Sequence, residues 1–167
     1  MELWEALRTR RSIRAYRPDP VPREQIERVL EAVRLAPSAA NRQPWHFYAV
    51  TDPARRQALR EAYGKEWFWG APAVLAACAR PAEAWKRGDG ANYSWVDVAI
   101  AFDHLTLAAH AEGLGTCWIG AFKPEAVRSV LGLPADLEPV ALTPLGRPAK
   151  EAKAPERKPL SQVVTWI

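Results

Sequence analysis

Cysteine is scarce in this chain. Cys78 and Cys117 stand alone and far apart among 167 residues. Two isolated thiols argue against a disulfide scaffold and against a structural zinc site. Both read as small buried apolar residues. Long apolar runs are also missing. No stretch approaches the ~20 residues of a membrane span, and no charged-then-apolar leader ends in a small-residue cleavage site. The expected location is therefore the cytoplasm, with no membrane partner. Histidine occurs three times. His104 and His110 lie on one expected helix but face different sides of it, and His46 reads as an ordinary half-buried strand residue. No metal site is expected, and no Ser-His-Asp or Cys-His arrangement for nucleophilic catalysis is recognisable. Repeats, low-complexity tracts and domain linkers are absent as well.

The chain has the length of one domain with a real core. Apolar residues make up 49% and charged residues 25%, an ordinary globular mixture. The net charge of +4 is mild. Basic residues concentrate in "RTRRSIRAYRP", where Arg8, Arg10, Arg11, Arg14 and Arg17 fall within residues 8–18. A nucleic-acid coat would spread its cations over a face or groove. Tryptophan is abundant, with eight against a single methionine. Large flat side chains concentrate where surfaces meet or where flat ligands stack.

Residues 2–9 predict a short helix with Leu3, Leu7 and Trp4 inward. From Pro22 to about Ala36, Ile26, Val29, Leu30 and Val33 recur at helical spacing, and Glu24 and Arg28 can pair at i, i+4. "WHFYAVT" and "APAVLAACA" read as strands, with a helix from Asp52-Pro53 between them. Pro81, Gly88 and Gly90 mark residues 80–92 as a mobile loop. The longest helix runs from about Tyr93 to Glu112, apolar on most sides and so central. Gly113 and Gly115 end it; they follow a helix, not a strand, and so form no dinucleotide fingerprint. "TCWIGAF" is extended, "KPEAVRSVLG" is a helix with proline at its start, and "LEPVALTPLG" is a strand. Helices and strands intersperse without a regular βαβ repeat, so the expected class is α+β, a sheet with helices packed on it.

Three blocks could supply anion or amide contacts: the arginine cluster, "PSAANRQPW" and "APERKPL". Arginine presents a rigid fork of donors that matches phosphate oxygens. By spacing alone the cluster is compatible with surface ion pairing, a small phosphate or a nucleic acid.

Taken together, the blocks resemble the FMN-dependent nitroreductases. The carriers are "RRSIRAYRPDPVPREQIERVLEAVRLAPSAANRQPWHFYAV", "HLTLAAHAEGLGTCWIGAF" and "PLGRPAKEAKAPERKPLSQV". The resemblance implies a single domain with the nitroreductase-like sheet flanked by helices, in an intertwined homodimer with active sites at the interface. It implies FMN as cofactor and NAD(P)H as reductant. Hydride would pass through flavin N5 by ping-pong traffic to a small-molecule acceptor such as a nitroaromatic or quinone. Arg10, Arg11 and Ser12 match positions at the FMN phosphate and ribityl end, and Arg14 matches a cation near N1/O2 of the ring. Pro37, Ser38, Asn41 and Gln43 match a loop that contacts flavin across the dimer. Ile119 and Gly120 match the backbone near N5, and Arg157 matches a phosphate-binding arginine. Trp45 matches a position close to the flavin, and Trp67, Trp69, Tyr93 and Trp95, with Phe68, could wall a substrate pocket. Many relatives carry an acidic side chain where Gly120 stands, so only the backbone serves here. A lysine of some relatives is replaced by Pro155, with Lys153 and Lys158 nearby. Same-fold dehalogenation, oxidative flavin fragmentation and non-catalytic flavin binding stay open. A nucleic-acid module on residues 8–17 is the rival from another class.

Overall fold

The computed structural model describes residues 1–167. Its centre is a four-stranded sheet of β1 (Trp45–Val50), β2 (Ala73–Ala79), β3 (Gly115–Thr116) and β4 (Glu138–Gly146), ordered β1-β2-β4-β3. All pairings are antiparallel, which fits the absence of a βαβ pattern. Every residue of β2 is buried, and its side chains alternate between two helical layers, as the pleat requires.

On one face, Ala73, Leu75 and Leu145 pack with Ile26, Val29 and Val33 of α2 (Arg23–Arg34) and with Ala101, Leu105 and Ala109 of α5 (Ser94–Ala111). On the other, Val74, Ala76 and Leu142 pack with Phe68 of α4 (Glu66–Trp69) and with Val127 and Leu131 of α6 (Pro124–Leu131). Leu59 joins this second core just after α3 (Pro53–Ala58). The α+β class follows from this three-layer sandwich. Asp52 caps α3 by accepting the Arg55 N–H at 2.8 Å, and Gly132 ends α6 with a left-handed φ of 63°, a conformation that glycine adopts without a Cβ clash.

Three local expectations are corrected. In α1 (Leu3–Thr9) only Ala6 is buried, while Leu3 and Trp4 are 63% and 68% exposed. The helix touches α5 along its small-residue side, and its apolar stripe faces out. Arg28 pairs with Glu112, not with Glu24, through hydrogen bonds of 3.1 and 2.8 Å, because the end of α5 lies beside α2. Residues 80–92 are a loop, as expected, with internal bonds: Lys86 bridges Asn92, Asn92 Nδ2 donates to Pro81 O at 2.8 Å, and Arg87 is paired with Asp89 at 2.6 Å. His46 is exposed on the edge strand β1, its ring 4.9 Å from that of Tyr48.

Candidate functional site

The arginine motif leaves α1 as an extended segment laid between two other parts of the chain. On one side Ser12 bridges Thr116 in parallel, and the Ile13 N–H donates to Thr116 O at 2.8 Å. On the other side Tyr16 bridges Pro148, the Arg17 N–H donates to Arg147 O and the Ala149 N–H donates to Ala15 O. The Tyr16 hydroxyl donates to Ile13 O at 2.6 Å, and its burial raises its pKa. This three-ply arrangement carries the C-terminal tail back past the motif. The result is a cleft of about 550 Å³ lined by Arg10, Arg11, Ser12, Arg14, Ala152, Lys153, Pro155 and Arg157.

The cleft is cationic throughout, and no acidic side chain lines it. Arg10, Arg14 and Arg157 take part in none of the salt bridges of the chain. Convergent guanidinium groups without carboxylate partners are suited to a multiply charged anion, which they can grip through charge-assisted hydrogen bonds. Arg11 differs from its neighbours. Its Nη1 donates to Arg8 O at 2.7 Å and to Arg10 O at 2.8 Å, satisfying carbonyls at the end of α1. Arg8 stacks over Trp4 with its guanidinium carbon 5.7 Å from the ring centre, and neither Arg8 nor Arg17 lines this cleft. Lys153 stands in the lining where Pro155 offers no charge.

Beneath the motif lies Cys117. Its N–H donates to Thr143 Oγ1 at 3.0 Å. Burial raises the pKa of its thiol, against the opposing influence of Arg14, Ser12 and Arg10. The chain then runs beside β4. The Ile119 N–H donates to Leu142 O at 2.8 Å, and the Ile119 side chain sits in the second core. Ile119 is therefore committed to the fold on both counts. Gly120 is exposed, its N–H has no backbone partner, and a Cβ there would meet nothing within 4 Å. Of the two residues, Gly120 is the one with a free donor.

The "PSAANRQPW" loop lies elsewhere. It forms a 3-10 turn at Ala39–Asn41 against the beginning of α5, where Asp97 Oδ1 accepts the Ala39 N–H at 2.9 Å. The arginine motif meets α5 at its other end, where Thr9 Oγ1 and His110 Nε2 are 2.7 Å apart. The rise of ~1.5 Å per residue between Asp97 and His110 separates them by roughly 20 Å. One chain does not bring Pro37, Ser38, Asn41 and Gln43 to its own basic cleft. The loop is internally braced: the Gln43 N–H donates to Ser38 Oγ at 2.9 Å, and Ala40, Asn41 and Gln43 have left-handed φ of 52°, 52° and 50°.

The aromatic residues divide the same way. Trp67 stands beside the arginine motif, 6.0 Å from the Arg14 guanidinium carbon, and the two share a shallow recess with Tyr16 and Glu66. Trp69 packs on the second core, and Phe68 is fully buried within it. Trp45 begins β1 opposite Ala79. Trp95 Nε1 donates to Glu138 Oε2 at 3.2 Å, and Tyr93 packs edge-on against Trp85 at 4.9 Å. Trp67 therefore sits near the start of β2 and Trp45 and Trp95 near its end. A seven-residue strand at ~3.3 Å per residue puts roughly 20 Å between these ends. A single wall of these residues within one chain is excluded.

Asp97, which accepts the Ala39 N–H of this loop, is a residue that spacing did not expose. It is 1% exposed, and its Oδ2 has no hydrogen-bond partner. The available signal was a carboxyl inside the apolar run "WVDVAIAF". No group of three or more metal-ligating side chains is present, and no helix is long and apolar enough to cross a membrane.

Comparison with known proteins supplies the context for this geometry. The model of the nitroreductase family matches residues 7–68 and 54–147. A Thermus thermophilus protein named NADH dehydrogenase is 38% identical, over 94% of this chain and 92% of its own. A Bacillus subtilis FMN reductase [NAD(P)H] is 32% identical, over 97% of this chain and 72% of its own. A solved nitroreductase family protein from Clostridium difficile 630 superposes with a TM-score of 0.91 at 31% identity, over 99% of this chain and 98% of that one. The similar proteins also include enzymes named 5,6-dimethylbenzimidazole synthase and iodotyrosine deiodinase 1.

Proposed function

Because the chain belongs to the nitroreductase family, we propose that it is an FMN-dependent oxidoreductase that uses NAD(P)H to reduce nitroaromatics, quinones or related acceptors. It works as a homodimer with two sites at the interface. The observation that carries the reading is the convergence of Arg10, Ser12, Arg14 and Arg157 on one acid-free cleft from opposite ends of the sequence. The names of the B. subtilis relative and others support FMN and NAD(P)H.

The residues present fit the cofactor. A phosphate is the anion that unpaired arginine forks and a hydroxyl recognise best. Bound FMN supplies a two-electron carrier whose N5 takes and returns hydride. Arg10, Ser12 and Arg157 hold its phosphate, with Lys153 adding charge from the tail. Arg14 offers a cation to the N1/O2 edge, where negative charge gathers on reduction. The exposed Gly120 N–H, which has no backbone partner, would be the donor available to N5. The chain needs no acid or base of its own for this exchange; its task is to bind, orient and tune.

A second copy completes the site. The loop residues Ser38, Asn41 and Gln43 sit by the start of α5, roughly 20 Å along that helix from the end that meets the arginine motif, and serve the cleft of the partner. Trp95 and Tyr93, at the start of α5 beside this loop, would come with it and wall the substrate side. The outward apolar side chains of α1 and of the tail, including Leu3, Trp4, Leu7, Val163 and Trp166, are covered in that dimer.

A chain that stays colourless and gains no flavin spectrum on incubation with FMN overturns this reading. The relatives named synthase and deiodinase favour a second chemistry on the same cleft, flavin fragmentation or dehalogenation. An acceptor panel under steady NADH or NADPH consumption separates the two. Rapid flavin breakdown in oxygen without any acceptor would displace nitro and quinone reduction.

A further inference from the structure

We propose that Asp97 is a positioning residue: its buried carboxyl holds the turn at residues 39–43 in the shape that presents Ser38, Asn41 and Gln43 to the flavin of the opposing site. The inference rests on the FMN reading above, and its test separates the two.

Three observations converge on Asp97. The first is its cost. A carboxyl 1% exposed forms no salt bridge and leaves Oδ2 without a partner. Burying such a group for the sake of the fold alone is unfavourable, and a well-packed apolar side chain would serve α5 better. The second is its target. Its one bond leaves its own helix and receives the Ala39 N–H at 2.9 Å. The third is the condition of that target. Ala40, Asn41 and Gln43 all hold left-handed φ near 50°, a region that disfavours residues with a Cβ, and such strain persists only where surrounding contacts impose it.

The other braces, Gln43 N–H to Ser38 Oγ at 2.9 Å, Gln43 Nε2 to Asn41 and the backbone bonds of the turn, lie within the loop and move with it; beyond them Gln43 O accepts the Trp45 N–H at 2.8 Å, which fixes only the end of the loop. Asp97 is the one side chain from α5 that ties the turn to the rigid body. Its place in the first turn of α5, at 1% exposure, keeps it fixed. Without it Ala40 is free to relax to negative φ, and that rotation swings Asn41 and Gln43 together.

The experiment measures FMN affinity and the melting temperature of the FMN-free protein for wild type, Asp97→Ala, Asp97→Asn and Asp97→Ala with Ala40→Gly. Asp97→Ala is expected to weaken FMN binding about tenfold or more, the scale of one hydrogen bond to a charged group. Its melting temperature is expected to hold or rise, because the partnerless buried Oδ2 is removed and the left-handed turn can relax. Asp97→Asn keeps the volume and one acceptor oxygen and should bind FMN within about threefold of wild type, a difference smaller than one net hydrogen bond. Ala40→Gly should recover part of the affinity lost in Asp97→Ala, since glycine adopts the left-handed turn unaided. Wild-type affinity in Asp97→Ala overturns the proposal. So does an Asp97→Ala chain that fails to fold, or that loses stability and affinity together without rescue by Ala40→Gly. A wild-type chain that does not bind FMN overturns the functional reading instead.

Discussion

Gly115 is the point where a single methyl group should connect packing to cofactor binding. A Cβ there would stand 2.7 Å from Ile13 Cγ1, 2.8 Å from its Cβ and 3.0 Å from its Cγ2. Ile13 is a buried β-branched residue with restricted χ1, its own Cβ is among the clashing atoms, and its N–H is bonded to Thr116 at 2.8 Å. It cannot rotate away, so the backbone between Ser12 and Arg14 must lift off residues 115–116. Overpacking of this kind costs roughly 1–3 kcal/mol. At ~2–4 °C per kcal/mol for a chain of this size, Gly115→Ala should melt several degrees lower. Because Ser12 and Arg14 flank the displaced residue, FMN affinity should fall severalfold as well. Gly120→Ala is the control, since its Cβ meets nothing and should leave stability within ~0.5 kcal/mol of wild type. Thermal melts and FMN titration of both variants read the outcome. A Gly115→Ala protein that is destabilised yet binds FMN as wild type would refute the coupling between the 115–116 strand and the cleft.

Arg157→Ala should weaken FMN binding about 10- to 100-fold, the scale of one lost charge-assisted bond of ~1.5–3 kcal/mol. Its exposed tail position should leave the melting temperature of the FMN-free protein unchanged, and FMN titration beside a thermal melt checks both. Phe102→Ala empties a fully buried site between Phe47 and Trp118, whose ring lies 4.2 Å away; urea unfolding should show a loss of about 3–5 kcal/mol. Burial pushes the Cys78 thiol from 9.0 up to about 12. The folded chain keeps a proton that the unfolded chain releases near 9, so its stability contribution is full below that pH and is lost as pH rises toward 12. Unfolding midpoints at pH 8 and 10 should show the decline, and Cys78→Ala should reduce it.

The parts of the fold written in periodicity were legible in the sequence. The stripe of Ile26, Val29 and Val33 placed α2, and the apolar surface of α5 marked it as central. What local pattern could not report was which neighbours an exposed-looking face would meet. Leu3 and Trp4 have the spacing of a core stripe, yet within one chain only Ala6 finds a surface. Arg28 had a partner at helical spacing, but Glu112 offered two oxygens at closer range. The arginine motif and Arg157 could be brought together only through their family resemblance, because nothing in local spacing says that residue 12 lies beside residue 116 and residue 16 beside 148. Asp97 escaped notice because a single carboxyl in an apolar helix has no periodic signature; its meaning comes from the loop that it touches.

FMN held in the cationic cleft should accept electrons from a nicotinamide. Anaerobic titration of the FMN-loaded protein with NADH and with NADPH tests it most directly. Stoichiometric bleaching of the flavin absorbance by at least one of them, reversed on adding a quinone or nitroaromatic, is the predicted result. Protein that binds no FMN, or whose bound flavin neither nicotinamide bleaches, contradicts it.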